Sequence, residues 1–161
     1  MRIAILSDTH LPRGARALPE ACRAEIAASD LAIHAGDFST EDVLLELEAI
    51  GPPVIGVHGN VDSMELRERL PMERVEELEG TRVAIVHDPG PALDRLASLE
   101  QRFPDADAVI FGHTHLPQHE ERDGFQIFNP GSPTEKRRAP NHSFGVAEVQ
   151  AGRVTFQHVP L

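Results

Sequence analysis

Cysteine occurs once in this chain, at Cys22, so no intrachain disulfide can form and a reducing compartment is the natural setting. In its Ala-rich, helical stretch Cys22 reads as a small packed side chain rather than a reactive group. Tyrosine is absent, which rules out any metal site built on a tyrosinate ligand. Basic density is also low. The formal charge is −11, and extended nucleic-acid binding draws most of its affinity from Lys and Arg neutralising phosphates, so no such partner is expected. Lys136-Arg137-Arg138 is the only dense basic cluster and reads as solvated surface. No apolar run approaches membrane-spanning length, and the first one is too short for a signal sequence and is followed by Ser7-Asp8. The expectations are a cytoplasmic location and no membrane partner. There is no internal repeat and no low-complexity linker. A chain of 161 residues fits one domain spanning 1–161, and at this size roughly 68–70% of the unfolded surface can be buried.

What is present is a series of short apolar runs bounded by turns. Ile3–Leu6, Leu31–His34 and Val54–Val57 read as strands separated by helices. The first helix starts near Pro19 and ends near Ser29-Asp30. Ser39-Thr40-Glu41-Asp42 has a capping-box pattern and opens the second, which Gly51-Pro52-Pro53 closes. Asp62 or Ser63 caps a short helix through Arg69. The pattern then changes to a hairpin, with Val75–Glu79 and Arg82–Val86 flanking Gly80-Thr81. A helix over Ala92–Arg102 and a strand over Ala108–Phe111 follow. Hairpins around Asp123-Gly124 and Ala151-Gly152 come last, pairing Gln118–Arg122 with Phe125–Phe128 and Ser143–Val149 with Arg153–His158. Parallel units first and hairpins later predict an α/β protein with two mixed sheets face to face and helices outside.

The chemistry sits where the apolar runs end. Asp8 and His10 follow the first strand, Asp37 the second and Asn60 the third, His87 follows Val83–Val86, and His113 and His115 follow Val109–Phe111. Open α/β sheets bind ligands at the carboxyl ends of their strands, so these residues describe one polar pocket. Each motif alone is commonplace, since Asp-x-His at a strand end often marks a turn and paired histidines are often surface residues. Their conjunction supplies ligands for two metals. In Gly36-Asp37 and Gly59-Asn60 the glycine permits positive φ or a close backbone approach, presenting the next side chain to the pocket. Mixed imidazole, carboxylate and amide donors suit Mn, Fe, Ni, Co or Zn. Of the remaining polar residues, His34, His58 and Asp62 are the candidates for supporting the ligands from behind.

The ordered set Asp8-x-His10, Gly36-Asp37, Gly59-Asn60, His87 and Gly112-His113-x-His115 resembles the motifs of the calcineurin-like metallophosphoesterase superfamily over most of the chain. Asn129-Pro130-Gly131-Ser132 is similar to a turn of its small bacterial and archaeal phosphodiesterase branch. The resemblance implies Asp8, His10, Asp37 and His115 on one metal and Asp37, Asn60, His87 and His113 on the other, with Asp37 bridging. It also implies an α/β/β/α sandwich and two divalent ions, Mn before Fe, Ni, Co or Zn. The implied reaction is phosphodiester hydrolysis by a hydroxide bridging the two ions, through in-line attack at phosphorus, with Asp37, Asn60 and His113 as the catalytic residues and a small phosphoester as substrate.

Two departures from the family pattern stand out: Asp88 follows His87 where many relatives have Gly, and Val61 follows Asn60 where the nuclease and protein-phosphatase branches have a catalytic His. The alternatives are a phosphomonoesterase of the same fold and a non-catalytic metal-binding scaffold resembling the retromer subunit, which has a changed ligand set. A metallo-β-lactamase site would need His-x-His-x-Asp-His, but Leu116-Pro117-Gln118 follows His115. A purple acid phosphatase is excluded by the missing Tyr. The sequence is compatible with a homo-oligomer.

Overall fold

The computed structural model describes residues 1–161. Ten strands and four helices follow one another as β1 (Arg2–Leu6), α1 (Glu20–Ala28), β2 (Leu31–His34), α2 (Glu41–Glu48), β3 (Val54–Gly56), α3 (Met64–Arg69), β4 (Glu73–Leu78), β5 (Thr81–Val86), α4 (Arg95–Arg102), β6 (Ala108–Phe111), β7 (Gln118–Arg122), β8 (Phe125–Asn129), β9 (Ser143–Gln150) and β10 (Arg153–Pro160). They build two five-stranded sheets, ordered β10-β9-β1-β2-β3 and β4-β5-β6-β8-β7. β1, β2 and β3 are parallel, as are β5, β6 and β8, while β9, β10, β4 and β7 join antiparallel. Both sheets are therefore mixed, as expected.

Successive side chains of a strand point to opposite faces, and here that alternation sorts the core into layers. Ile3 and Ile5 of β1, Ile33 of β2, Val83 and Ile85 of β5 and Ile110 of β6 meet between the sheets. The intervening Ala4 and Leu6 face outward under the helices, packing with Cys22 and Ile26 of α1, Leu44 and Leu47 of α2 and Leu66 of α3. On the opposite side, Ala84, Val86, Val109 and Phe111 pack under Leu96 and Leu99 of α4. Strands buried on both faces carry continuous apolar runs, so their ends mark the first places where polar side chains can appear. No helix is long and apolar enough to cross a membrane.

Several local expectations differ from the structure. The capping box at Ser39-Thr40 does not form: Thr40 is the N-cap of α2, but its hydroxyl donates to the Leu11 carbonyl rather than closing on its own helix. α4 begins at Arg95 instead of Ala92, because Asp94 has left-handed φ of 50° and cannot continue a helical turn backwards. The β4–β5 turn is Glu79-Gly80, both with positive φ, and Thr81 belongs to β5. Of the two cap candidates for α3, Asp62 and Ser63, it is Ser63 that serves as expected, accepting from the Leu66 N–H, while the Asp62 carboxylate turns inward to the loops described below.

Candidate metal centre

All seven side chains singled out at the strand ends come together across the carboxyl ends of β1, β2, β3, β5 and β6. At one end of the cluster His10 Nε2 lies 3.2 Å from His115 Nε2, 3.9 Å from Asp8 Oδ1 and 3.7 Å from Asp37 Oδ2, and His115 Nε2 is 3.2 Å from Asp8 Oδ1. At the other end His87 Nε2 lies 3.2 Å from Asp37 Oδ2 and 3.1 Å from Asn60 Oδ1, which is 3.0 Å from His113 Nδ1. Two groups whose donor atoms all fall within 4.8 Å of one another are Asp8, His10, His115 and Asp8, Asp37, His87. Asp8 thus approaches both ends, as Asp37 does. Asp8, Asp37, His87 and His115 are buried, whereas Asn60 and His113 form the edge nearest solvent.

The backbone aims these side chains. Asp8, His10, Asp37, His113 and His115 all have positive φ, between 47° and 69°. A non-glycine residue in that region costs about 1–2 kcal/mol, and such strain gathers where a side chain must be presented in one direction. Repeating it at alternate residues lets both members of Asp8-x-His10 and of His113-x-His115 face the same centre. Parallel pairing continues past the strands: the Asp8 N–H donates to the Gly36 carbonyl at 2.9 Å and the His10 N–H to the Asp37 carbonyl at 3.0 Å. The glycines allow close approach. A Cβ on Gly36 would sit 2.7 Å from His87 Nδ1, and one on Gly59 would sit 2.0 Å from Asp37 Oδ1.

Three residues expected behind the ligands occupy distinct places. His34 is fully buried and stacked on Phe38 at 3.6 Å. The Gly36 N–H donates to its Nδ1 at 3.2 Å, so its Nε2–H is left to donate to Thr9 Oγ1 at 3.1 Å, which links the Asp8 and Asp37 loops. The Asp62 carboxylate accepts the N–H groups of Asp37 at 3.0 Å, Ser39 at 2.7 Å and Gly59 at 2.7 Å. It thereby joins the loop of Asp37 to that of Asn60. His58 places its Nδ1 3.3 Å from the Gly59 carbonyl. It lines a neighbouring cavity of about 350 Å³ with Asn60, Arg67, Met72, His87 and Arg102.

Other supporting residues escaped the sequence reading. Ser7 Oγ donates to Asp8 Oδ2 at 2.6 Å, and the His113 N–H donates to the same oxygen at 3.0 Å. Asn129 Nδ2 donates to the Gly112 carbonyl and to Thr114 Oγ1, both at 3.0 Å, and Ser132 Oγ donates to the Asp8 carbonyl at 2.7 Å. The Asn-Pro-Gly-Ser turn therefore clamps two ligand loops; its motif was visible, its contacts were not. Glu135 brings a carboxylate oxygen within 3.7 Å of His10 Nε2, and only its position three residues after that turn hinted at it.

The arrangement fits cations. His87 Nδ1–H donates to the Ala35 carbonyl at 2.8 Å, and His115 Nδ1–H donates to the Glu135 carbonyl. Each Nε2 therefore turns a lone pair toward oxygens that are themselves acceptors. Without a positive charge between them these groups repel, and burial makes that costly. Burial pushes the Asp37 carboxyl up, but the hydrogen bond and charge of His87, the Val61 N–H and His10 outweigh it and hold it at about 2. Burial likewise pushes His87 down, and is outweighed by Asp37, by Asp8 and by the Ala35 carbonyl, so its affinity for a proton is raised. A proton can relieve one such contact at a time, while a divalent ion accepts several lone pairs together. His34, with no carboxylate in contact, is pushed down by burial to about 3 and stays neutral.

Two mixed sheets with His, Asp and Asn gathered over their strand ends define a metal-binding α/β sandwich. The calcineurin-like phosphoesterase superfamily domain matches residues 1–152, and the chain belongs to that family, with relatives named as metallophosphoesterases and phosphodiesterases that support a metal-dependent phosphoesterase. A probable metallophosphoesterase of Methanothermobacter thermautotrophicus is 38% identical over 141 residues, covering 85% of this chain and 80% of its own. A phosphodiesterase of Methanocaldococcus jannaschii is 31% identical, over 81% of this chain and 83% of its own. Among solved structures, wild-type Vps29 of Entamoeba histolytica complexed with Zn²⁺ superposes with a TM-score of 0.78 at 23% identity, covering 99% of both chains. That last likeness is one of fold.

Proposed function

We propose that this chain hydrolyses phosphodiesters with two divalent ions held by Asp8, His10, Asp37, Asn60, His87, His113 and His115. The observation that carries the reading is the convergence of imidazole, carboxylate and amide lone pairs, with the His87 and His115 tautomers set by backbone carbonyls so that Nε2 faces inward. Asp37 Oδ2 lies between His10 and His87 and is the natural shared ligand. Divalent ions bound there would lower the pKa of water, screen the phosphoryl charge and orient in-line displacement. The chain's own part is to hold the substrate. Asn60 and His113, at the open edge, would face the phosphoryl group, while the carboxylates Asp8 and Asp37, with Glu135 beside them, supply at most three of the four charges needed to neutralise two divalent ions. The remaining positive charge attracts phosphate into an acidic protein.

A diester is favoured over a monoester because the cavity beside Asn60 and His87 has room for a second ester arm, at about 350 Å³. The mixed donor set suits Mn, Fe, Ni, Co or Zn, and the family resemblance puts Mn first among them. In the scaffold alternative ligand positions would be changed, whereas here every one is His, Asp or Asn. The test is a metal-reconstituted screen over mono- and diesters, including aryl diesters and cyclic nucleotides. Turnover of diesters that requires added metal and is lost in Asp37→Ala is expected; bound metal with no turnover of any ester would overturn the reading in favour of a scaffold.

A further inference from the structure

Glu135 touches the metal centre at three points. Its carbonyl accepts from His115 Nδ1, which turns His115 Nε2 inward. Its N–H donates to Ser132 Oγ at 2.8 Å, and that hydroxyl donates in turn to the Asp8 carbonyl at 2.7 Å. Its carboxylate Oε2 lies 3.7 Å from His10 Nε2, the same separation that Asp37 Oδ2 keeps from that nitrogen. Two donors each about 2.1 Å from one ion stand roughly 3–4.2 Å apart, so Oε2 is placed like a further donor to an ion on His10. The side chain is only 17% exposed, and Oε1 is held by Arg13 Nη1 at 2.6 Å with Arg16 Nη1 at 3.6 Å. The carboxylate is thus fixed with one oxygen on the arginines and the other turned toward the ligands.

Resting on the two-metal reading above, we propose that Glu135 is an eighth residue of the centre, a carboxylate that strengthens and selects the ion at the Asp8, His10, His115 end. A third carboxylate makes that end richer in oxygen and more negative than the Asn60, His87, His113 end. Oxygen-rich sets suit Mn²⁺, whereas imidazole-rich sets suit Zn²⁺ equally well. Glu135 therefore biases one of the two positions toward Mn²⁺. Arg13 and Arg16 partly neutralise it, which tempers the attraction while fixing its direction.

The experiment loads the full chain with Mn²⁺ or Zn²⁺, sets the free ion concentration with a chelator buffer and counts the ions retained by elemental analysis and, for Mn²⁺, by electron paramagnetic resonance. Glu135→Gln keeps the main-chain contacts and the side-chain volume. It is expected to raise one of the two Mn²⁺ retention midpoints about 10–100-fold, and the corresponding Zn²⁺ midpoint less. Arg13→Gln separates a metal role from a merely structural one, since it breaks the same ion pair but leaves the carboxylate; its Mn²⁺ midpoints should be unchanged or lower. Mn²⁺ midpoints in Glu135→Gln within twofold of wild type, or equal losses in Glu135→Gln and Arg13→Gln, would overturn the proposal. Two ions retained in a Glu135-dependent way without hydrolysis of any ester would overturn only the catalytic reading, and retention of no ion would overturn both.

Discussion

Replacing Asp62 by Ala removes the acceptor of three backbone N–H groups at once, those of Asp37, Ser39 and Gly59, at 2.7–3.0 Å. A hydrogen bond to a charged acceptor contributes about 1.5–3 kcal/mol, which sets a ceiling of roughly 4.5–9 kcal/mol for three. The loops can relax and admit water on the Ser39 side, so the expected loss is about 3–5 kcal/mol, a large share of the ~5–15 kcal/mol that holds a domain together. Asp62→Asn keeps one acceptor oxygen but turns an NH₂ toward N–H groups, and should cost about 2–4 kcal/mol. The assay is urea unfolding in the presence of a chelator, so that metal binding does not contribute. Far-UV circular dichroism is the probe, because the chain has no Trp and no Tyr. The same variant should bind metal more weakly, since Asp62 is what ties the Asp37 loop to the Gly59-Asn60 loop. A stability loss under about 1 kcal/mol with an unchanged m-value would refute the claim that this carboxylate carries the junction.

Asp37→Ala and His113→Ala should abolish metal-dependent hydrolysis while leaving the far-UV spectrum intact, with Asp37 the harsher change because it lies 3.7 Å from His10 and 3.2 Å from His87; near-native turnover in Asp37→Ala would contradict the shared-ligand assignment. Saturating metal should raise the unfolding temperature, by an amount equivalent to about 2.7 kcal/mol at a hundredfold excess over the dissociation constant, and a midpoint indifferent to metal would show that the buried donors bind none. Val61 is 47% exposed and cannot donate a proton, so rates should fall steeply as the pKa of the leaving group rises; a flat series, or a His58→Ala loss confined to poor leaving groups, would reveal a general acid. Burial pushes the Cys22 thiol up to about 12 from 9.0, so native alkylation should run about a thousandfold or more below that of the unfolded chain. By linkage the unfolded thiol ionises first, so this group withdraws stability as pH rises from about 9 to 12, and Cys22→Ala should flatten that part of the alkaline stability curve.

The layered sandwich and the convergence of the seven candidate ligands were legible in the linear sequence for a simple reason. Strands buried on both faces must be apolar throughout, so Ile3–Leu6, Leu31–Ile33, Val83–Val86 and Val109–Phe111 stand out, and the polar residues that follow them are at the strand ends by necessity. The glycines before Asp37 and Asn60 were equally readable, because only a residue without Cβ tolerates approaches of 2.7 Å or less. Local signals failed where longer-range contacts outbid them. Thr40 has the residue type of a cap but spends its hydroxyl on Leu11, and Asp62 precedes α3 as a cap would, yet three N–H groups from two other loops claim its carboxylate. Glu135 belongs to no spacing rule relative to His10, which lies far back along the chain, and only the packing of the Asn129–Ser132 turn onto Asp8 and Gly112 brings its carboxylate to the centre. Periodicity and residue type report what a segment needs from its nearest neighbours and from the core, whereas which distant oxygen meets which nitrogen depends on how the two sheets are stacked and their loops tied together, and that exists only in the folded chain.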